Sequence, residues 1–370
     1  MAATPHATPQ ATQALALSHP ELPQAYRLLD GLTVSSLGLG TYLGRDNTED
    51  DEKYLQSALL MLSRGVNLLD TAINYRSQRS ERVLGQCLAR LHDLGLTRSQ
   101  IVVCSKAGFL PFDGTTPTDG PGFLRRMYVE SGIIPAAQVA GGAHSLWPAH
   151  LQQQLSRSLR NLGLSCLDVF YLHNPEYQLE FVSKKELRQR LRAAFQLCEQ
   201  EQQAGRLQRY GCATWDGFRV PPGQPGHLSL ADLVEIAEEV AGPQHHFRVI
   251  QLPLSAKLSE AALSATQVVA GKAMTLLEAA QRLQISVITS GPLSQGKLVQ
   301  RPLPPKFCDR LPDLTRDSHR LLQFARSAPG VAAVLCGSKE RRHALENLAI
   351  LTVPPLSAAE FQARFGDAGS

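Results

Sequence analysis

The sequence lacks closely spaced cysteines. Its seven cysteines, at positions 87, 104, 166, 198, 212, 308 and 336, include no Cys-x-x-Cys pair. Disulfide frameworks and thiolate metal sites both depend on paired or repeated cysteines. Several of these cysteines lie in or beside apolar runs, where cysteine packs as a small hydrophobic residue. We therefore predict reduced cysteines and a cytoplasmic protein.

Long apolar runs and a concentrated charge of one sign are also missing. No stretch approaches the ~18 apolar residues that indicate a transmembrane helix. The 37 basic residues nearly balance 33 acidic ones, for a net charge of +4, whereas nucleic-acid and anionic-membrane binders need a denser basic face. The eleven histidines include no His-Glu-x-x-His spacing. We predict a small-molecule ligand and no nucleic-acid, membrane or metal partner, and nothing indicates an oligomeric state.

The first 20 residues contain neither lysine nor arginine and no long apolar segment. This composition does not match a signal or transit peptide, and it predicts a disordered N-terminal extension over residues 1–23. No linker or shift in composition divides the remainder. Residues 24–370 are therefore predicted to form a single domain.

Eight short apolar runs alternate with amphipathic stretches from residue 24 onward. The runs occupy residues 37–41, 66–70, 101–105, 167–173, 209–214, 248–252, 285–290 and 331–337. They are aliphatic or β-branched and nearly unbroken, as expected of strands buried on both faces. Eight such strands alternating with helices predict an α/β fold, the (β/α)8 TIM barrel. Ahead of them, an Asp30-Gly31 turn predicts a β-hairpin cap at the bottom of the barrel.

Three connections that follow strands are unusually long, at residues 107–147, 215–228 and 291–313. In a barrel, such loops lie on the C-terminal face, where barrel enzymes hold their active sites. Simple surface decoration is the alternative for each loop. The aromatic residues of 107–147 predict an apolar wall for a substrate pocket.

Four titratable residues stand at the ends of apolar runs. Asp70 ends the second run, and Tyr75 follows it by five residues. Lys106 and His173 close the third and fourth runs. Taken singly, each has an ordinary explanation as a cap, a packing aromatic, a solvated charge or a core histidine. At neighbouring strand ends of one barrel, the four together predict a catalytic site.

The chemistry of these four residues suits proton transfer to a carbonyl group. A carbonyl oxygen becomes negatively charged when its carbon accepts hydride, and it then needs a proton donor. Tyr75 would be that donor, and the Lys106 ammonium would lower the tyrosine pKa. Asp70 would hold the ammonium in place, and His173 would orient the substrate oxygen. The hydride must come from a cofactor, because no side chain supplies one.

Six motifs occur in a fixed order between residues 25 and 350: LGLGTYLG, GVNLLDTAINY with SERVLG, Ser105-Lys106, FYLHNPE, GPLSQGKL and CGSKERRHALENL. In these motifs the chain resembles the aldo-keto reductase superfamily. The resemblance implies an NADPH-dependent oxidoreductase that reduces an aldehyde or ketone, or oxidises the corresponding alcohol or lactol. It also implies a catalytic tetrad of Asp70, Tyr75, Lys106 and His173, with Tyr75 as the proton donor.

The resemblance further implies an NADP(H) site, NADP being favoured over NAD by the basic segment after the eighth run. The implied cofactor positions are Gly40, Thr41, Thr214, Gln251, Ser290, Pro292, Leu293, Ser294, Gln295, Lys297, Gly337, Ser338, Lys339, His343, Glu346 and Asn347. Two positions depart from the family pattern. Thr214 replaces an asparagine that binds the nicotinamide amide, and Leu254 replaces an aromatic that stacks on the ring. Trp215 is the candidate substitute for that aromatic.

These departures leave two other functions open. One is a nicotinamide-binding regulatory or interaction protein built on the same barrel. The other is a lyase or isomerase that uses Tyr75 and Lys106 without redox chemistry.

Overall fold

The computed structural model describes residues 4–22 and 24–366, and its centre is a closed barrel of eight parallel strands. The described residues form twelve strands, which in chain order are β1 (Tyr26–Leu29), β2 (Leu32–Ser35), β3 (Leu37–Gly40), β4 (Leu68–Asp70), β5 (Val102–Ala107), β6 (Leu167–His173), β7 (Leu207–Ala213), β8 (Val249–Pro253), β9 (Gln267–Val269), β10 (Lys272–Met274), β11 (Ser286–Ser290) and β12 (Val331–Cys336). Of these, β1–β2 and β9–β10 are two separate antiparallel pairs outside the barrel. The barrel closes in the order β11-β12-β3-β4-β5-β6-β7-β8. All eight predicted runs form its strands, which confirms the predicted (β/α)8 barrel.

The described residues form thirteen α-helices, several of which pack on the outer face of the barrel. They are α1 (Pro9–Leu17), α2 (Thr48–Leu62), α3 (Arg79–Leu88), α4 (Gly120–Leu124), α5 (Pro148–Leu162), α6 (Lys184–Gln203), α7 (Leu230–Ala241), α8 (Glu260–Leu263), α9 (Leu276–Arg282), α10 (Pro305–Cys308), α11 (Asp317–Ser327), α12 (Arg341–Leu348) and α13 (Ala358–Phe365). Helix α5 illustrates how the sequence sets the ends and the buried face of a helix. Proline occupies its first position, Gly163 in the left-handed region ends it, and its leucines form a buried stripe.

The bottom of the barrel carries the predicted hairpin. Strands β1 and β2 pair antiparallel, and both residues of the Asp30-Gly31 turn have positive φ angles, as the two-residue hairpin turn requires. The Asp30 N–H donates to the Ser286 hydroxyl, 3.0 Å away, at the start of β11. The hairpin therefore lies against the N-terminal ends of the barrel strands.

Helix α1 corrects the prediction of a disordered extension over residues 1–23. The Ala7 N–H donates to the buried Asp168 carboxylate at 2.6 Å, and the Thr12 hydroxyl accepts from the Thr33 N–H of the hairpin at 3.1 Å. Leu15 is buried in the same region. These contacts with the bottom of the barrel order the segment, although its own composition predicts disorder. Residues 1–3 and 23 lie outside the described residues.

The long 107–147 connection differs from its predicted role as a pocket wall. Its apolar side chains form a small core of their own, around Leu110, Leu124, Tyr128 and Ile134. These side chains pack against one another. Phe109 is the aromatic residue of this connection that lines the large cavity described below. In the part of the chain that the structure describes, no helix is long and apolar enough to cross a membrane.

Candidate active site

Three of the four predicted catalytic residues lie at neighbouring strand ends on the C-terminal face. Asp70 ends β4 and is paired with Cys104 of β5, and Lys106 of β5 is paired with Tyr171 of β6. His173 ends β6. Because the strands run parallel and in register, these side chains come together at the same rim of the barrel.

Lys106 and Asp70 form an ion pair that is almost wholly removed from water. The lysine ammonium contacts one oxygen of the Asp70 carboxylate and donates to the Thr71 carbonyl at 2.9 Å. The other Asp70 oxygen accepts from the Gln251 side-chain amide at 2.8 Å. Lys106 is 0% and Asp70 3% exposed, so each charge depends on these partners.

Tyr75 lies directly over this pair. The Lys106 ammonium is 5.0 Å from the centroid of the Tyr75 ring, and the ring centroids of Tyr75 and His173 are 5.7 Å apart. The ring of Tyr42 packs edge-on against Tyr75 at 5.0 Å between centroids. The structure thus brings all four predicted residues into one cluster.

A strained turn follows Tyr75. Arg76, Ser77 and Gln78 all have positive φ angles, of 48°, 52° and 71°, which costs a non-glycine residue roughly 1–2 kcal/mol each. Their side chains offset this cost by hydrogen bonds: Arg76 to Asp51 at 2.6 Å and Ser77 to Asp46 at 2.7 Å. Gln78 donates to the carbonyl of residue 112 at 2.7 Å. The turn fixes the direction in which the chain leaves Tyr75.

Burial and neighbouring charges set the protonation of the cluster. Burial raises the pKa of Tyr75, and the Lys106 ammonium offsets only part of that rise. Burial alone would lower the pKa of Lys106, but the Asp70 carboxylate reverses this and raises it. Burial and the same ammonium hold the pKa of His173 well below its usual range. At neutral pH the tyrosine is therefore protonated, the lysine charged and the histidine neutral.

One cavity of about 1500 Å³ opens above this cluster, and Asp70, Tyr75 and His173 line it. All sixteen predicted cofactor positions line the same cavity, from Gly40 through Thr214 and Gln251 to Asn347. Pockets that bind drug-sized ligands have volumes of roughly 300–1000 Å³. The cavity therefore has room for a dinucleotide together with a small second molecule.

The two departures from the family pattern have different surroundings. The Thr214 hydroxyl is buried at the cavity wall with no hydrogen-bond partner among the described residues, and it therefore fits a ligand amide. Leu254 is fully buried in the hydrophobic core. Trp215 lines the cavity and is 45% exposed, which leaves its indole available to a bound ring. Gln251, in contrast, already donates a side-chain amide N–H to the Asp70 carboxylate.

The far end of the cavity carries the basic segment. The Lys339 ammonium is paired with both oxygens of the Asp50 carboxylate, at 2.9 and 2.8 Å. Asn347 donates to the Ser338 hydroxyl at 2.8 Å. His343 and Glu346 line the same end. The polar groups here suit a phosphate, although the lysine charge is partly neutralised by Asp50.

Several residues of the site escaped sequence analysis. Asn74 and Asn174 line the cavity, and their positions next to Tyr75 and His173 were the available signal. Glu176 and His144 touch the backbone around the site from behind. No sequence pattern marks His144, because it lies in the long 107–147 connection, far along the chain from its partners. Within residues 4–22 and 24–366, no cluster of histidine, cysteine or acidic residues is arranged to hold a metal ion.

Known proteins are similar to this chain in sequence. A putative voltage-gated potassium channel subunit beta from Schizosaccharomyces pombe is 27% identical over 231 residues, covering 60% of this chain and 55% of that protein. A probable voltage-gated potassium channel subunit beta from Oryza sativa subsp. japonica is 31% identical over 148 residues, covering 40% of this chain and 35% of that protein. The chain spans about half or less of the length of these curated relatives.

Solved structures share the fold. An aldo/keto reductase from Klebsiella pneumoniae in complex with NADP and acetate has a TM-score of 0.60 and 18% identity, covering 92% of this chain and 94% of that chain. An aldo-keto reductase from Bacillus halodurans in its holo form has a TM-score of 0.59 and 20% identity, covering 92% and 95%. The model of the aldo/keto reductase family matches residues 36–220, half of the sequence. The chain belongs to the aldo/keto reductase family.

Proposed function

We propose that this protein is an NADP(H)-dependent oxidoreductase that reduces an aldehyde or ketone, or oxidises the corresponding alcohol or lactol. The observation that carries the proposal is the buried Lys106–Asp70 pair beneath Tyr75 and His173. This cluster opens into the cavity that all the implied cofactor positions line. Family membership supports the same reaction class. Its cytoplasmic location is part of the proposal and is supported by seven free cysteines.

Tyr75 supplies the proton in this proposal. Its raised pKa keeps the phenol protonated at neutral pH, so the proton is present when the carbonyl oxygen becomes negative. The Lys106 ammonium lies close enough to stabilise the phenolate that remains. Asp70 keeps the lysine charged, and neutral His173 hydrogen-bonds the substrate oxygen and orients it.

The cofactor and the substrate would share the cavity. Bound NADPH supplies hydride to the carbonyl carbon. The unpartnered Thr214 hydroxyl and the exposed Trp215 indole would hold its nicotinamide end, and the 290–297 loop and Ser338 its phosphates. Phe109, Asn74 and Asn174 line the part of the cavity near Tyr75 and would contact a small carbonyl substrate.

The experiment is a Tyr75→Phe variant assayed for NADPH consumption against a panel of aldehydes and ketones. We expect turnover to fall by a factor of roughly 10²–10⁴, which is the usual contribution of a general acid. The dissociation constant for NADPH should stay within about twofold. Tyr26→Phe is the control, because that hydroxyl bonds the Gly65 carbonyl at 2.7 Å near the bottom hairpin. Full turnover by Tyr75→Phe would contradict the proposal.

A second candidate is a nicotinamide-binding regulatory or interaction protein. It is favoured by the relatives named as potassium channel beta subunits, which match part of this chain at 27–31% identity. Quenching of Trp215 fluorescence by NADPH, with no turnover of any carbonyl in the panel, is the expected result for this candidate. Rapid multiple turnover excludes it as the sole function. Activity that does not depend on added nicotinamide cofactor would instead indicate a lyase or isomerase.

A further inference from the structure

We infer that His144, a buried histidine of the 107–147 connection, is a positioning residue for His173. It holds the backbone carbonyl of His173 and thereby fixes where the His173 imidazole stands in the cavity. The inference rests on the proposed function only in giving His173 a chemical role.

The contact between the two histidines is direct and dry. His144 is 0% exposed, and its Nε2 lies 2.7 Å from the backbone oxygen of His173. Its Nδ1 lies 2.8 Å from the side-chain amide nitrogen of Gln178. Both ring nitrogens therefore have a protein partner, which leaves the ring a single orientation.

The partners behind His144 determine which ring nitrogen carries its proton. An Arg190 guanidinium nitrogen is 2.6 Å from the Gln178 side-chain oxygen, and a guanidinium can only donate. The Gln178 oxygen is thus the acceptor, and its NH₂ group donates to His144 Nδ1. The His144 proton must then be on Nε2, where it donates to the His173 carbonyl. Burial lowers the pKa of His144 to about 4, so the ring stays neutral at physiological pH.

Strand β6 needs such a partner where it ends. Asn174 has a φ of +47°, so the chain leaves the strand immediately after His173, and the His173 carbonyl accepts from His144. Gly108 permits the close approach: its φ is +141°, and a Cβ there would lie 2.7 Å from His144 Nε2. The glycine is required at this contact by both space and conformation.

The Phe109 ring completes the support of His173. Its centroid is 4.9 Å from that of His144 and 5.3 Å from that of His173, in edge-on geometry with both. Gln154 holds this part of the chain by accepting from the Gly108 N–H at 2.9 Å and donating to the Phe109 carbonyl at 2.7 Å. His173 is therefore fixed at its backbone by His144 and at its ring by Phe109.

Two substitutions of His144 and one matched control test the inference. His144→Leu removes the donor to His173, while His144→Gln retains an N–H donor at the same reach. His150→Leu is the control, because His150 is equally buried and neither of its ring nitrogens has a partner among the described residues. Each variant is assayed with NADPH and with NADPH deuterated at the transferred position.

We expect His144→Leu to lower kcat by roughly tenfold to a hundredfold, since small misplacements of a reacting group have effects of that size. The deuterium isotope effect on kcat should rise, because the chemical step becomes slower than product release, and NADPH affinity should stay within about twofold. His144→Gln should restore most of kcat. An unchanged isotope effect and unchanged kcat per folded molecule in His144→Leu, as in His150→Leu, would overturn the inference.

A second measurement needs no turnover and so separates this inference from the proposed reaction. Nitrogen-15 NMR of histidine-labelled protein reports the tautomer of each ring, with His173→Gln used for assignment. We expect a neutral His144 with its proton on Nε2. The ring signals of His173 should shift in His144→Leu and stay in place in His150→Leu. If no carbonyl is reduced, these signals still decide the question, and unshifted His173 signals in His144→Leu reject the positioning role.

Discussion

Glu176 is a buried carboxylate that holds the backbone beside the candidate cofactor cavity. One of its oxygens accepts from the N–H groups of Trp215 and Asp216, at 2.6 and 3.2 Å. The other has no partner among the described residues. Burial raises the pKa of Glu176 from 4.5 to about 7, even though backbone N–H donors oppose the rise. The residue that holds the Trp215 backbone therefore titrates near neutrality.

This titration predicts a pH-dependent stability. Between pH 4.5 and 7 the folded state binds more protons at Glu176 than the unfolded state does, so the free energy of unfolding falls as pH rises. The loss is on the order of 3 kcal/mol and is complete above pH 7. Glu176→Gln should remove most of this pH dependence in chemical unfolding measured at pH 5 and pH 8. Glu130→Gln, at an exposed position, should retain the pH dependence. If Glu176→Gln loses as much stability between pH 5 and pH 8 as the unmodified protein does, the raised pKa of Glu176 is contradicted.

At the scale of elements, α1 and the hairpin β1–β2 close the barrel end opposite the cavity. Helix α1 contributes a buried leucine, Leu15, at 2% exposure, and an outward one, Leu17, at 74%. The two side chains are chemically identical and two positions apart. They therefore distinguish a docked helix from the disordered extension that composition alone predicts.

Leu15→Ala should lower the free energy of unfolding by about 2–3 kcal/mol, because it removes buried apolar surface and leaves a cavity. Leu17→Ala should change it by less than about 0.5 kcal/mol. Neither should change NADPH affinity, since the helix lies at the far end of the barrel. Chemical unfolding and cofactor titration of both variants measure these effects. Two equally neutral substitutions would favour the disordered extension.

The barrel strands and the hairpin were predictable because each has a local signal in the sequence. Parallel strands buried on both faces read as unbroken apolar runs, and Asp30-Gly31 marks a turn that requires positive φ. Helix α1 lacked such a signal, since its order comes from Asp168 and Thr33, which are distant in sequence. His144 also lacked a local signal, because its contacts form only when the 107–147 connection is folded.

At the scale of the whole molecule, one cavity joins the catalytic cluster to the basic end near Lys339. The sequence motifs predicted sixteen cofactor positions, and all of them line this cavity, as do Asp70, Tyr75 and His173. Lys106 is buried beneath Tyr75. The sequence also predicted the pairing of Lys106 with Asp70, but not the partners of Lys339 and Gln251. Lys339 is engaged by Asp50 and Gln251 by Asp70, and such long-range pairs become visible only once the barrel is closed.

The pairing at Lys339 predicts how the protein discriminates between cofactors. NADPH should raise the midpoint of thermal unfolding more than NADH at equal concentration, since tighter ligands stabilise more. Asp50→Asn should widen the preference by roughly threefold in the ratio of dissociation constants, because it frees a lysine that is partly exposed. Calorimetric titration with both cofactors measures the ratio, and Glu52→Gln on the same helix is the control. A ratio unchanged by Asp50→Asn would place the phosphate elsewhere.

The hydrogen bond from Gln251 to Asp70 makes the cavity wall and the ion pair one thermodynamic unit. A ligand that draws the Gln251 amide away leaves Asp70 with one partner fewer and changes the free energy of its charged form. Linkage between two sites is reciprocal. A change in the charge of the Lys106–Asp70 pair therefore also changes the affinity of a ligand that binds Gln251, and the coupling free energy is the same in both directions.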